Sequence, residues 1–247
     1  MQITLCGTGD AMGIPPAFCD LETCNADAKR RRSALLVEAN ETTILCDCGP
    51  DVKAQLRATD TKAIDGVFVT HFHHDHVGGI DELAAFAPVI GFDIHLTETA
   101  IGHFERERAH LTDEIEPRPI RAHQPVEIGA VTVTPLPVTH ARPEFETVAF
   151  AIAADDRTVV YAPDVGRIDP DMSIPSEIAL LVVGGNRLFR SDGGEDSIRK
   201  IVDPFAPERV VITHVNEWWL GQSTSELRRM TRDTGYELGD DYQMITV

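Results

Sequence analysis

Apolar and polar positions along this chain fall into two alternating textures, short aliphatic runs and longer stretches in which apolar residues return every three or four places. The short runs lie at Ile3 to Cys6, Ala34 to Glu38, Thr43 to Asp47, Gly66 to Thr70 and Val131 to Leu136. They resume at Thr147 to Ala153, Thr158 to Ala162, Ala179 to Val183, Arg209 to Thr213 and Gln243 to Val247. Their brevity and β-branched content predict strands. The helical spacing predicts helices over Asp51 to Ala58, Ile80 to Phe86, Glu98 to His110, Asp196 to Asp203 and Ser223 to Thr234. The order is strand-heavy, then mixed, then strand-heavy again, which predicts an α/β (α+β) architecture with two sheets packed together and helices outside.

Composition narrows this picture only a little. The 247 residues suffice for one large domain or two small ones, and no repeat, linker or low-complexity tract divides them, so a single domain over 1–247 is expected. No segment approaches the roughly 20 apolar residues of a membrane span. The opening MQITLCGTGDAMG lacks a basic segment followed by an apolar one, so a cytoplasmic location is expected. Five cysteines, Cys6, Cys19, Cys24, Cys46 and Cys48, are too sparse for a secreted scaffold and are expected to be reduced. Cys46 and Cys48 flank Asp47 on one face of a strand and are expected to be core thiols.

Charge changes the picture more. Asp and Glu number 40 against 22 Lys and Arg, a formal charge of -18, which repels phosphate backbones and argues against bulk nucleic acid as a partner. The one basic run, Lys29 to Arg32, is either a solvated stretch or, beside an active site, an attractor of phosphate. Gly7-Thr8-Gly9 with Gly13 lacks the spacing and lysine of a nucleotide loop and reads as a tight turn.

The candidate chemistry is concentrated in His71-Phe72-His73-His74-Asp75-His76. Four ligand-type side chains in the arrangement HxHxDH follow a buried strand and precede Gly78-Gly79, at the sheet edge where α/β proteins bind ligands. Three further residues repeat that placement: His140 after VTVTPLPVT, Asp164 after RTVVYAP and His214 after ERVVIT. Together they form a set of five His and two Asp, enough for two divalent ions, zinc first and manganese or iron also accommodated. Such a pair about 3.5–4 Å apart would hold a bridging hydroxide as nucleophile. His74 stands outside the pattern and reads as solvent-facing; Trp218 and Trp219 either wall the pocket or pack beneath a loop; His95, His103, His110 and His123 read as surface residues.

These residues resemble the metallo-β-lactamase superfamily, whose signature is HFHHDH and whose order is kept by Asp47, His140, Asp164 and His214. The resemblance implies a four-layer αββα sandwich with the metals at one edge of the two sheets. It implies that His71, His73 and His140 hold one ion and Asp75, His76 and His214 the other. Asp164 would bridge, with Asp75 and Asp164 as the catalytic carboxylates, and Asp47 would orient ligands. The opening ITLCGTGDAMGIPPAFCDLETC and the later RRRSALLVE, LPVTH and VVITH resemble PhnP-type phosphodiesterases, which cleave cyclic phosphodiesters of ribose. That branch carries a cysteine-rich zinc knuckle; here Cys19 and Cys24 remain, but Leu21 and Glu217 replace two of its ligands. It also tends to carry a histidine where this chain has Asn186, followed by Arg187, two candidate substrate contacts. A small phosphodiester is therefore the expected substrate, with a homodimer open to the chain. A tRNase Z-like nuclease, a lactone or thioester hydrolase and a non-catalytic metal scaffold are the alternatives.

Overall fold

The computed structural model describes residues 1–19, 29–140, 145–168, 172–186, 188–189 and 194–247. Its strands form two mixed sheets. In the first, β15 (Gln243–Thr246), β1 (Gln2–Gly7), β2 (Ala34–Ala39), β3 (Thr42–Cys46), β4 (Gly66–Phe68), β5 (Asp93–Thr97) and β6 (Arg118–Ile120) follow one another in that order. In the second the order is β11 (Arg167–Ile168), β8 (Val131–Thr139), β9 (Thr147–Ala154), β10 (Arg157–Ala162), β12 (Ile178–Gly184), β13 (Val210–Thr213) and β14 (Glu237–Leu238). The short β7 (Val126–Ile128) pairs with β8 off this path.

Strand periodicity sorts the buried side chains into layers. Leu180 and Val182 of β12 face the other sheet, packed with Leu5, Leu35, Val37, Ile44, Phe68 and Phe150. Their neighbours Leu181 and Val183 face outward onto a helical layer. That layer comes from α6 (Gly194–Val202), through Ile198 and Ile201, and from α8 (Thr224–Asp233), through Leu227. On the opposite flank α1 (Val52–Ala58), α3 (Ile80–Ala84) and α5 (Glu98–Glu107) cover the first sheet with Val52, Ile80, Leu83, Ala100 and Phe104. Three apolar layers separating helix, sheet, sheet and helix make this the expected αββα sandwich. Each fully buried Leu, Ile or Phe adds about 1.5–3 kcal/mol, so all three layers contribute to stability.

Local chemistry sets the helix ends. Thr97 caps α5 by accepting from the Ala100 N–H at 3.2 Å, and Ser223 and Glu226 form a reciprocal capping box at the start of α8. The predicted helix from Ile80 to Phe86 stops at Ala84, and α4 (Ala87–Ile90) begins separately with Pro88 in its first turn. The expected loop of histidines contains a full turn, α2 (His74–Val77), closed by the Val77 N–H on the His73 carbonyl at 3.1 Å. α7 (Glu217–Leu220) carries Trp218 and follows directly on the end of β13. β5 was not predicted, because Asp93 and His95 interrupt its apolar run; it lies parallel between β4 and β6.

Both sheets present strand ends at a common edge, where the backbone joins them. The Val148 N–H of β9 donates to the Thr70 carbonyl at 3.0 Å, and the Val215 N–H after β13 donates to the Thr8 carbonyl at 3.0 Å.

Candidate metal centre

Every side chain of the centre follows a strand at that edge. β3 ends at Cys46, and Asp47 then turns back with φ 64°. β13 ends at Thr213, and His214 turns with φ 53°. Left-handed backbone is uncommon for residues other than glycine and here aims both side chains inward. Close backbone approach needs glycine at two places. A Cβ on Gly49 would sit 2.0 Å from the Asp75 carbonyl oxygen, and one on Gly184 would sit 1.9 Å from that of Pro163.

Two groups of ligand-type atoms result, each with all its atoms within 4.8 Å of one another: His71, His73 and His140, and Asp75, His76, Asp164 and His214. In the first, His71 Nε2 lies 2.7 Å from His73 Nδ1. In the second, His76 Nε2 lies 2.8 Å from Asp164 Oδ2 and 3.1 Å from Asp75 Oδ2. His214 Nε2 lies 3.3 Å from both carboxylates. Asp164 stands between the groups, with Oδ2 3.7 Å from His71 Nε2 and Oδ1 3.7 Å from His140 Nδ1.

Asp47 organises this set from behind. It is fully buried, and its Oδ2 lies 2.7 Å from His76 Nδ1, while its Oδ1 accepts from the Thr70 N–H at 2.8 Å and the Thr70 hydroxyl at 3.0 Å. The same hydroxyl lies 3.1 Å from His71 Nδ1. One carboxylate thus fixes the outward nitrogen of His76 directly and that of His71 through Thr70, leaving Nε2 of each for the centre. Thr70 had no signal of its own in the sequence beyond ending a strand.

The electrostatics divide along the same line. Burial, with His76 adding to it, pushes His71 well below the ordinary histidine range. Burial and His140 lower His73, and burial lowers His140. Neutral imidazoles with free lone pairs are what a cation needs. Against burial, which opposes it, the field of Asp47 holds His76 well above its usual range, and Asp164 raises His214 in the same way. Asp75 and Asp164, despite burial, are held far below the usual carboxylate range by the histidines around them. Nitrogen donors with two ionised carboxylates, clustered out of water, fit a pair of divalent cations such as zinc.

Residues 42–215 match the model of the β-lactamase superfamily domain. The chain belongs to this superfamily. Its two ligand groups are residues that could hold metal ions in this fold. Among solved structures it is similar to Zn(2+)-bound PqqB from Methylobacterium extorquens, with a TM-score of 0.83 and 18% identity over the whole of both chains. It is also similar to a diphosphatase of the PhnP family, with a TM-score of 0.81 and 19% identity over 100% of this chain and 97% of the other. Among curated relatives, a ribonuclease Z from Mycobacterium bovis is 30% identical over 66% of this chain and 62% of its own length. An octanoyltransferase from Porphyromonas gingivalis is 28% identical over 58% of this chain. The chain spans 31% of that octanoyltransferase and 62% of the ribonuclease Z.

Around the superfamily's ligand set, the other expectations fare variously. A pocket of about 190 Å³ opens beside it, lined by His140, Pro163, Asp164, Val165, Gly166, Gly184 and Asn186. Asn186 is therefore brought to the centre, its Nδ2 3.4 Å from His214 Nδ1, while Arg187 lies outside the described residues. His74 is exposed and in neither ligand group. Cys6, Cys46 and Cys48 are buried free thiols, with burial pushing Cys6 up to about 12. Cys19 corrects the expectation of reduced cysteines: it is disulfide-bonded, and a sulfur so bonded offers no thiolate to a structural zinc. Cys24 lies outside the described residues.

Of the histidines expected on the surface, His95 is buried and His103 half-buried. His95 is 4% exposed and stacks on Phe68 at 4.2 Å. His103 lies between Phe72 and Phe145, and Phe145 leans on the His73 ring at 4.6 Å. Arg30, Arg31 and Arg32 of the basic run are engaged by protein groups. Arg30, buried, donates to Glu217, Thr8 and the Gly239 carbonyl, each at 2.6 Å. Arg32 pairs with Asp51 at 3.2 Å, and Arg31 lies over the Tyr242 ring.

Proposed function

We propose that the chain is a metal-dependent hydrolase that cleaves a small phosphodiester, of the cyclic ribose phosphate or nucleotide-like class. The observation that carries the reading is the pocket beside the ligand set. About 190 Å³ is below the usual range for drug-sized ligands and suits a phosphate with one small sugar. It is walled by His140 and Asp164 and offered an amide donor by Asn186, which suits a nonbridging phosphoryl oxygen.

Two divalent cations, when bound, would lower the pKa of water to make the nucleophile and clamp the oxygens of an in-line displacement. The chain supplies the rest. His71, His73 and His140 would hold one ion, Asp75, His76 and His214 the other, and Asp164 both. Asp47 and Thr70 keep two of those imidazoles in a single orientation, so no reorganisation is needed when substrate arrives.

The ribonuclease Z relatives favour a second reading, cleavage of precursor tRNA. The charge of -18 and the pairing of Arg30, Arg31 and Arg32 with protein groups weigh against it. A turnover panel on zinc- or manganese-loaded protein decides: a nitrophenyl phosphodiester, ribose cyclic phosphates, a lactone, a thioester and precursor tRNA. Turnover of the small diesters is expected. Lactone or thioester hydrolysis with none on diesters would overturn the proposal, and cleavage of precursor tRNA alone would replace it with the nuclease.

A further inference from the structure

A column of rings runs outward from the centre: His73, Phe145, His103 and Phe72. The Phe145 ring leans on His73 with centroids 4.6 Å apart and lies nearly parallel to His103, at 5.1 Å and 11°. His103 lies over Phe72 in the same way, at 5.5 Å and 20°. Phe72 and His73 belong to the segment after β4, and His103 to α5, which covers the first sheet. Phe145 comes from the second sheet, from the segment between His140 and β9. Its neighbour Glu146 fastens that segment to the same helix, Oε2 accepting from the Thr99 hydroxyl at 2.9 Å. A stretch of the second sheet's chain is thus docked on a helix of the first, beside the seam that the ligands span.

At the near end of the column stand His71, His73 and His140, one ligand group built from both sheets. The His140 ring lies 5.2 Å from that of His71 and 5.5 Å from that of His73. Thr70 and Asp47 hold His71 and His76 by their outward nitrogens. His73 is met on its ring instead, by Phe145. Centroid separations from 4.6 to 5.5 Å are those that aromatic pairs favour, so the column sets a flat surface at a fixed position. An imidazole free to turn gives up that freedom when it takes a cation, whereas one already stopped by packing does not.

We propose that Phe145 is a positioning residue for the cation that His71, His73 and His140 would hold. Stacked on α5 through His103, it stops the His73 ring and sets the spacing of His73 and His140 across the two sheets. The assignment rests on the metal-dependent reading above. It also carries a selectivity: the column ends on His73, which belongs to the first group alone, while Asp47 supports His76 of the second. The influence of Phe145 is therefore confined to one of the two ions.

The test titrates zinc into the protein against a chromogenic competing chelator, and locates the retained ion by anomalous scattering from crystals at limiting zinc. The wild type should take two ions. In Phe145→Ala one binding step should weaken roughly 10–100-fold while the other keeps its affinity, with the retained ion at Asp75, His76 and His214. Phe145→Tyr, which keeps the ring face, should recover most of the loss. His103→Ala should weaken the same step, and combining it with Phe145→Ala should add little, because His103 acts through Phe145. Equal weakening of both steps, no weakening, or loss of the ion at the second group would each overturn the assignment. Should Phe145→Ala fail to fold, His103→Ala applies the same criteria by itself. A wild type that held no divalent cation would sink the metal-dependent reading; two ions in the wild type with any of those three outcomes would sink only the role of Phe145.

Discussion

Asp164 is the side chain through which the two ligand groups meet, with one oxygen towards His140 and the other shared by His71, His76 and His214. Asp164→Asn keeps the shape and removes the charge that both groups share. Metal content should fall below two ions per chain and turnover should be lost, as elemental analysis and the diester assay would show; two retained ions with full activity would refute the bridging role. His95 gives a second prediction at this scale. Burial, with Arg118 adding to it and Asp93 opposing, lowers its pKa to about 4, and its Nε2 has no hydrogen-bond partner among the described residues. The folded state therefore keeps it neutral while the unfolded chain titrates near 6.5, so stability present above about pH 6.5 is lost as pH falls towards 4. The loss is on the order of 3 kcal/mol. His95→Phe keeps the stack on Phe68 and should flatten that part of a urea-midpoint profile against pH. The seven ligand-type residues were legible in the sequence because His140, Asp164 and His214 each stand just behind an apolar strand and the other four share one hexapeptide after another such strand. His95 was not, because it hides in a strand whose polar residues mask it.

At the scale of elements, the pair of Arg30 and Glu217 fastens the N-terminal segment to α7, with both side chains almost fully buried. Glu217 also accepts from Thr224 at 3.1 Å, so the pair reaches the start of α8 as well. Removing one partner strands the other charge out of water. Glu217→Gln should cost about 3–5 kcal/mol in a denaturant titration, and Arg30→Met combined with Glu217→Leu should recover much of it. A cost below 1 kcal/mol would mean that water reaches Arg30. The long strands and capped helices were legible, since alternation and caps are local signals. The short pieces were not: β6, β11 and β14 are three residues or fewer, and only pairing with a neighbour makes them strands. The same holds for the turn of helix within the histidine cluster, which exists because the backbone of Cys48 accepts from Gly79 and donates to His76.

At the scale of the whole molecule, the four layers followed from the order of strands and helices, and the three apolar clusters are their physical counterpart. Which residue of the second sheet would face which residue of the first could not be read that way, because register across a sheet-to-sheet seam is set by packing and not by sequence spacing. The ligand groups straddle that seam: His71, His73, Asp75 and His76 come from the first sheet, and His140, Asp164 and His214 from the second. Neither half owns a complete site. Cations seated there would act as a clasp between two leaves of a book, and a breathing motion that parted the leaves would let them go.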